Sequence, residues 1–143
     1  MAVAGRVSIV TLGVSDLARS TKFYQALGWE KSQSSSTAIS FFRTAGGVLA
    51  LFPFDELAKD ANLPAVRASG FRGFTIAINV ERADMVQPAL DEAARAGATI
   101  LKPATKADWG GVSGYFADPD GYPWEVAWAP NSIIRPDGSL DVG

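Results

Sequence analysis

The 143-residue sequence contains no histidine and no cysteine. Those absences remove the commonest metal ligand, the side chain most used for proton transfer near neutral pH, and every thiolate nucleophile or thiolate metal site. A Ser-His-Asp relay is excluded with them. What remains is one carboxylate in a distinctive setting, Glu125, delivered onto a strand by Asp118-Pro119-Asp120-Gly121. Asp118 at the first corner can accept from the backbone ahead, Pro119 presets φ at the second, and Gly121 closes a type I turn at the fourth. Beyond the turn, Trp124, Val126 and Trp128 alternate with Glu125 and Ala127, the pattern of a half-buried strand. A carboxylate on the small-residue face of such a strand meets either solvent or a cavity. In an apolar pocket desolvation would raise its pKa and suit it to act as a base or to receive a cationic group. The structural alternative is an ion pair with Arg43, Arg72 or Lys102.

Around Glu125 the sequence supplies aromatic and hydroxyl-bearing candidates. Phe42, Phe52, Phe54, Trp109, Tyr115 and Tyr122 are expected to furnish at least two or three walls of an aromatic pocket, the others being core. Trp109-Gly110-Gly111 reads either as a loop closing over a cavity mouth with Trp109 as lid, or as a turn leading into a strand with Trp109 packed on its neighbour. Thr11, Thr75, Asn79 and Ser113 are candidate hydrogen-bonding partners for a ligand. No glycine-rich phosphate loop, nucleophile elbow or pair of carboxylates suited to divided acid/base work is present.

The elements that must position these groups repeat. In residues 8–14, Val10, Leu12 and Val14 alternate with Ile9, Thr11 and Gly13, the first set being expected to meet a helix. Ser15 or Asp16 offers an N-cap, Leu17, Thr21, Tyr24 and Leu27 follow at near-helical spacing, and Gly28 stands at the C-terminal cap position, which predicts a helix over 16–27. Strands are expected over 29–33, 38–43 and 48–52. A charged, one- or two-turn helix candidate opens a linker over 55–70. The order then restarts: Phe74, Ile76, Ile78 and Val80 against Thr75, Ala77 and Asn79, a helix over about 83–96 with Val86, Leu90 and Ala93 on one face, and strands over 98–102, 112–117 and 124–128. Pro88 places the start of that helix no earlier than about residue 84, because deeper in a helix proline removes a hydrogen bond. Val14 matches Val80 and Gly28 matches Gly97, so the chain divides into a first β-α-β-β-β module (1–54), the linker (55–70), a second module (71–130) and a tail (131–143) expected to add a peripheral hairpin.

Composition sets outer bounds. With 48% hydrophobic and 20% charged residues the chain can bury a sizeable core. A net charge of −2 and no dense Lys/Arg cluster argue against nucleic acid or an anionic membrane as partner. Residues 7–14 are apolar but lack the flanks of a signal segment, and no stretch approaches the ~20 apolar residues of a membrane span. A cytoplasmic location is expected.

Val10-Thr11-Leu12-Gly13-Val14-Ser15-Asp16-Leu17, Phe23-Tyr24, Leu27-Gly28-Trp29, Trp109-Gly110-Gly111 and Asp118 to Glu125 together resemble the vicinal oxygen chelate superfamily, which includes glyoxalase I, extradiol dioxygenases and bleomycin-resistance proteins. The resemblance runs from about residue 6 to 130. It implies an α+β fold in which two tandem β-α-β-β-β modules form a U-shaped mixed sheet around a cavity with the helices outside, and it implies a homodimer. In metal-using relatives the ligands sit on the first and last strands of each module. Carried over, those slots fall at Ile9, Ala50, Thr75 and Glu125, of which only Glu125 is a strong donor. The expectation is therefore a metal-independent protein without cofactor that sequesters or senses a small, partly aromatic or cationic ligand. Two alternatives stay open: a glyoxalase-type lyase or isomerase, or a dioxygenase-related enzyme, with Glu125 as base or residual metal ligand, and a structural or partner-binding paralogue with a filled cavity.

Overall fold

The computed structural model describes residues 2–143. Alternation builds the first module. Strand β1 (Ile9–Val14) pairs in parallel with β3 (Val48–Pro53), and β3 pairs antiparallel with β2 (Ser40–Arg43). Helix α1 (Leu17–Ala26) lies between β1 and β2 in sequence. Asp16 caps it, its carboxylate accepting from the Arg19 N–H at 3.0 Å, and Gly28 ends it at φ 89°, a left-handed conformation that costs glycine least. The stretch expected as a strand over 29–33 narrows to one antiparallel bridge between Lys31 and Phe42. Its serines explain the loss. The Ser32 hydroxyl accepts from the Ser34 N–H and the Ser35 hydroxyl from the Phe41 N–H, so side chains take up groups a longer ladder would have used.

Helix α2 (Phe54–Asp60) opens the linker and crosses β1. A Cβ at Gly13 would sit 3.1 Å from the Phe54 ring, so the glycine sets how closely that helix approaches. The second module repeats the plan with β4 (Ile76–Asn79), α3 (Val86–Arg95), β5 (Thr99–Lys106), β6 (Val112–Ala117) and β7 (Pro123–Trp128), in sheet order β4-β7-β6-β5. A single 3₁₀ turn (Ala83–Met85) precedes α3, which puts Pro88 in the first helical turn, where its missing N–H has no intrahelical partner to lose. Val86, Leu90 and Ala93 are buried, as the spacing predicts. Strand β5 extends past 102 through two register breaks around Pro103, and Gln87 of α3 repairs the ladder by accepting from the Ala104 N–H at 2.9 Å. The tail forms a short hairpin of β8 (Ile133–Ile134) and β9 (Leu140–Asp141) about a turn closed by Gly138. No helix among the described residues is long and apolar enough to cross a membrane.

The architecture is α+β: a first β-α-β-β module, its expected second strand reduced to the Lys31–Phe42 bridge, and a second β-α-β-β-β module, with two mixed sheets and no closed barrel. No hydrogen-bonded ladder joins β1 to β4 among the described residues, so side chains make the joint. Phe23 and Tyr24 of α1 meet Phe42 of the first sheet and Phe116 and Trp124 of the second, with Tyr24 5.9 Å from both Phe42 and Trp124. The Tyr24 hydroxyl donates to the Asp118 carboxylate at 2.6 Å and accepts from the Trp124 indole N–H at 3.0 Å. Asp118 also accepts from the N–H groups of Asp120 and Tyr122, and the Tyr122 hydroxyl donates to the Gly13 carbonyl at 2.6 Å. The expected turn thus closes on itself and locks onto the other module.

Desolvation raises the Asp118 carboxyl above its usual range, outweighing the lowering effect of those hydrogen bonds. A raised folded-state pKa means the fold holds this proton more tightly than the unfolded chain does. Its contribution to stability is therefore greatest at acid pH and declines as pH rises through the raised value. In urea unfolding at a series of pH values, Asp118→Ala is expected to lose about 2–4 kcal/mol, the cost of stranding the partners of a buried carboxylate. Asp118→Asn, which keeps an acceptor, is expected to lose less and to remove that decline.

Candidate functional site

Register assigns each candidate to a face, because residues paired across neighbouring strands share one. Glu125 pairs with Ala77 on one side and Tyr115 on the other. Asn79 and Ser113 both pair with Ala127 and fall on the same face. The opposite face carries Trp124, Val126, Phe116 and Gly114 and receives α3. A Cβ at Gly114 would lie 2.5 Å from Leu90, so the glycine lets the helix sit against the sheet. Glu125, Tyr115 and Asn79, all half-buried, and Ser113, which is buried, therefore share the face opposite α3.

In the first module Thr11 pairs with Ala50, which pairs with Phe41, and Gly13 pairs with Phe52. Ile9, Thr11, Ala50 and Phe52 share the face opposite α1. Phe42 does not. It is 0% exposed and packs on Tyr24 in the core, and its neighbour Phe41 takes the open face instead. The signal was legible: in Ser40-Phe41-Phe42-Arg43 the exposed Arg43 shares a face with Phe41, so adjacent phenylalanines cannot both line a pocket. Thr11 borders a cavity of about 450 Å³ with Phe54 and Tyr122 under α2. Thr75 precedes β4 and is exposed.

Trp109 stands in the β5–β6 hairpin turn, where the Ala107 N–H donates to the Gly111 carbonyl at 2.8 Å. Its ring lies against Gly111, where a Cβ would meet it at 1.8 Å, and it is 55% exposed. This is the arrangement of a turn leading into a strand with Trp109 packed on its neighbour.

Electrostatically the open face is simple. Glu125 is half-buried and forms no ion pair among the described residues. Of the suggested partners, Arg72 stacks 4.2 Å over the Tyr122 ring and donates to the Asp120 carbonyl, Arg43 is exposed, and Lys102, paired with Tyr115 across β5–β6, is exposed and forms no ion pair among the described residues. Tyr115, half-buried beside Glu125, has its phenol pKa raised, by desolvation first and then by the adjacent carboxylate. The 450 Å³ cavity, another of about 580 Å³ between β1 and β4, and one of about 260 Å³ beside the tail all leave out Glu125 and Tyr115.

The sequence model of the Glyoxalase/Bleomycin resistance protein/Dioxygenase superfamily matches residues 6–126. The chain belongs to that superfamily. Among solved structures it is similar to a glyoxalase-related enzyme from Fulvimarina pelagi, with 34% identity, a TM-score of 0.87 and coverage of 96% of this chain and 98% of that one. It shares its fold with a hypothetical protein, SA1046, from S. aureus (17% identity, TM-score 0.76, coverage 90% and 96%). The same holds for a lactoylglutathione lyase from Agrobacterium tumefaciens (21%, 0.67, coverage 88% and 95%). A comparison with curated proteins finds no match.

The superfamily implies a divalent metal held from the first and last strands of each module, and the residues present do not fit one. Ile9 and Ala50 carry no donor, Thr75 offers only a hydroxyl, and a catalytic site wants three or more convergent nitrogen, oxygen or sulfur ligands. Among the described residues no group of three or more His, Cys, Asp or Glu could hold a metal.

Removing the negative charge beside Tyr115 makes its phenolate easier to form. Difference titration of Glu125→Gln against the parent protein, followed by phenolate absorbance, is expected to show one tyrosine titrating at lower pH, and an unchanged titration curve would contradict the contact.

Proposed function

We propose that the protein is a metal-independent, small-molecule-binding member of the superfamily that sequesters or senses a small, partly aromatic or cationic ligand on the face carrying Glu125 and Tyr115. The observation that carries this reading is a half-buried carboxylate without a cationic partner beside an aromatic ring, in a scaffold whose other metal slots hold Ile9, Ala50 and Thr75. A cationic or hydrogen-bond-donating ligand supplies the partner Glu125 lacks, and Tyr115 offers a ring face to the same cation. Asn79 and Ser113 are placed to orient it, while Thr11 and Phe52 belong to the corresponding face of the first module.

Two further expectations follow. Glu125 and Tyr115 line none of the three cavities described, so a ligand against them gains burial if a second copy covers it, and the exposed Ile9 and Trp109 give that copy apolar surface to bury. The protein is thus proposed to act as a homodimer, in the cytoplasm, without nucleic acid or membrane as partner. Light scattering behind size exclusion should return twice the 15.1 kDa chain mass, and a monomer would remove the second wall.

A second reading is favoured by the 34% identity to a glyoxalase-related enzyme. In it Glu125 acts as the base of a lyase or isomerase of glyoxalase type. Binding comes first in either case. In a thermal-shift panel of aromatic amines and quaternary ammonium compounds, at least one member is expected to raise the melting temperature by roughly 5–10 °C at a hundredfold excess over its dissociation constant. Glu125→Ala should abolish that shift while leaving the unliganded melting temperature nearly unchanged. No shift in the parent protein, or an equal shift in the variant, contradicts the proposal.

A further inference from the structure

The largest described cavity leaves out Glu125 and Tyr115 and touches their face only at its edge, through Ala77 and Asn79 of β4. It measures about 580 Å³ and opens between the edge strands β1 and β4, with Val10 on one side and Ile76 and Ile78 on the other. None of Ile9, Ala50, Thr75 and Glu125, the positions matching the superfamily's metal slots, lines it. Trp29 and Trp124 contribute two indoles at 79° to each other with centroids 5.4 Å apart. The Trp124 N–H is already donated to Tyr24, so its ring meets the cavity with carbon surface. Among the described residues, Glu30 and Arg43, both exposed, are the charged side chains bordering it.

The remaining wall is the tail. Ile134 and Leu140, paired across β8–β9, border the cavity together with Gly138 and Ser139. This hairpin lies beyond residue 126, where the match to the superfamily ends. It is fastened lightly. Arg135 pairs with Asp141 at 3.1 Å within the hairpin itself, and at Gly138 it approaches the β2–β3 turn so closely that a Cβ would lie 2.9 Å from the Ala45 methyl.

We propose that this cavity is a second small-molecule site, taking a planar, largely apolar aromatic compound whose polar substituent stays at the mouth beside Glu30 and Arg43, with the C-terminal hairpin as its movable wall. The volume lies within the roughly 300–1,000 Å³ of ligand pockets, and apolar walls with two indoles and few polar groups are what such a compound needs. The site is independent of any role for Glu125.

The test is titration of the full chain with 2-naphthol, read from the indole N–H signals of its four tryptophans, assigned by single Trp→Phe variants. Saturable movement of the Trp29 signal is expected, with the distant, exposed Trp109 unmoved. Ile78→Phe, which fills the cavity from β4, and Ser139→Phe, which fills it from the exposed hairpin and leaves the core untouched, should each weaken binding tenfold or more. Gly138→Val, which pushes the hairpin off Ala45, should speed dissociation at least severalfold. No saturable movement at Trp29, equal movement of all four indoles, or undiminished binding in a folded Ser139→Phe protein overturns the proposal.

Discussion

The hydrogen bond from Tyr24 to Asp118, at 2.6 Å, is the constraint on which the arrangement of the two modules depends. With β1 and β4 in separate sheets, no backbone ladder among the described residues fixes one module against the other. A fully buried tyrosine from the first helix instead reaches the last turn of the second module, and Trp124 donates to the same hydroxyl. Ser20 and the Ser15 N–H hold Asp120 in that turn, so the contact is a network with several fixed points. Buried and satisfied, such a network favours a single geometry, because any shift strands a carboxylate away from water. The burial that raises the phenol pKa of Tyr24, and the neighbouring Asp118 charge that raises it further, keep the hydroxyl protonated and donating.

Much of this was legible beforehand where local chemistry and periodicity agree. The turn at Asp118, the cap at Gly28 and the buried stripe Val86, Leu90 and Ala93 each follow from a residue type in a position that needs it. Pro88 even marked where α3 begins. The strand over 29–33 shrinks to a bridge because the Ser32 and Ser35 hydroxyls compete for nearby backbone N–H groups, an outcome that strand propensity does not register. The aromatic character of Phe42 suits a ligand pocket, but strand parity sends it to the core. The partner of Asp118 was also out of reach, since Tyr24 lies 94 residues away and reads equally well as an ordinary core tyrosine.

The same turn that proclaims the fold says less about chemistry. Asp118, Gly121 and Tyr122 are committed to joining modules, and Glu125 is left as the one superfamily-type donor on its face. Ile9 and Ala50 bring none and Thr75 brings a hydroxyl, so the scaffold is retained while the donor set for a catalytic metal is not. What the open face does offer is a half-buried acid next to a phenol, chemistry for recognising a cation or a hydrogen-bond donor.

Calorimetric titration of chelator-treated protein with Zn²⁺, Ni²⁺, Mn²⁺ and Fe²⁺ tests this account most directly. The vacated slots predict no stoichiometric binding tighter than about millimolar, since one carboxylate and one hydroxyl fall short of the ligand count these metals require. A one-to-one site of micromolar affinity that disappears in Glu125→Ala would contradict it.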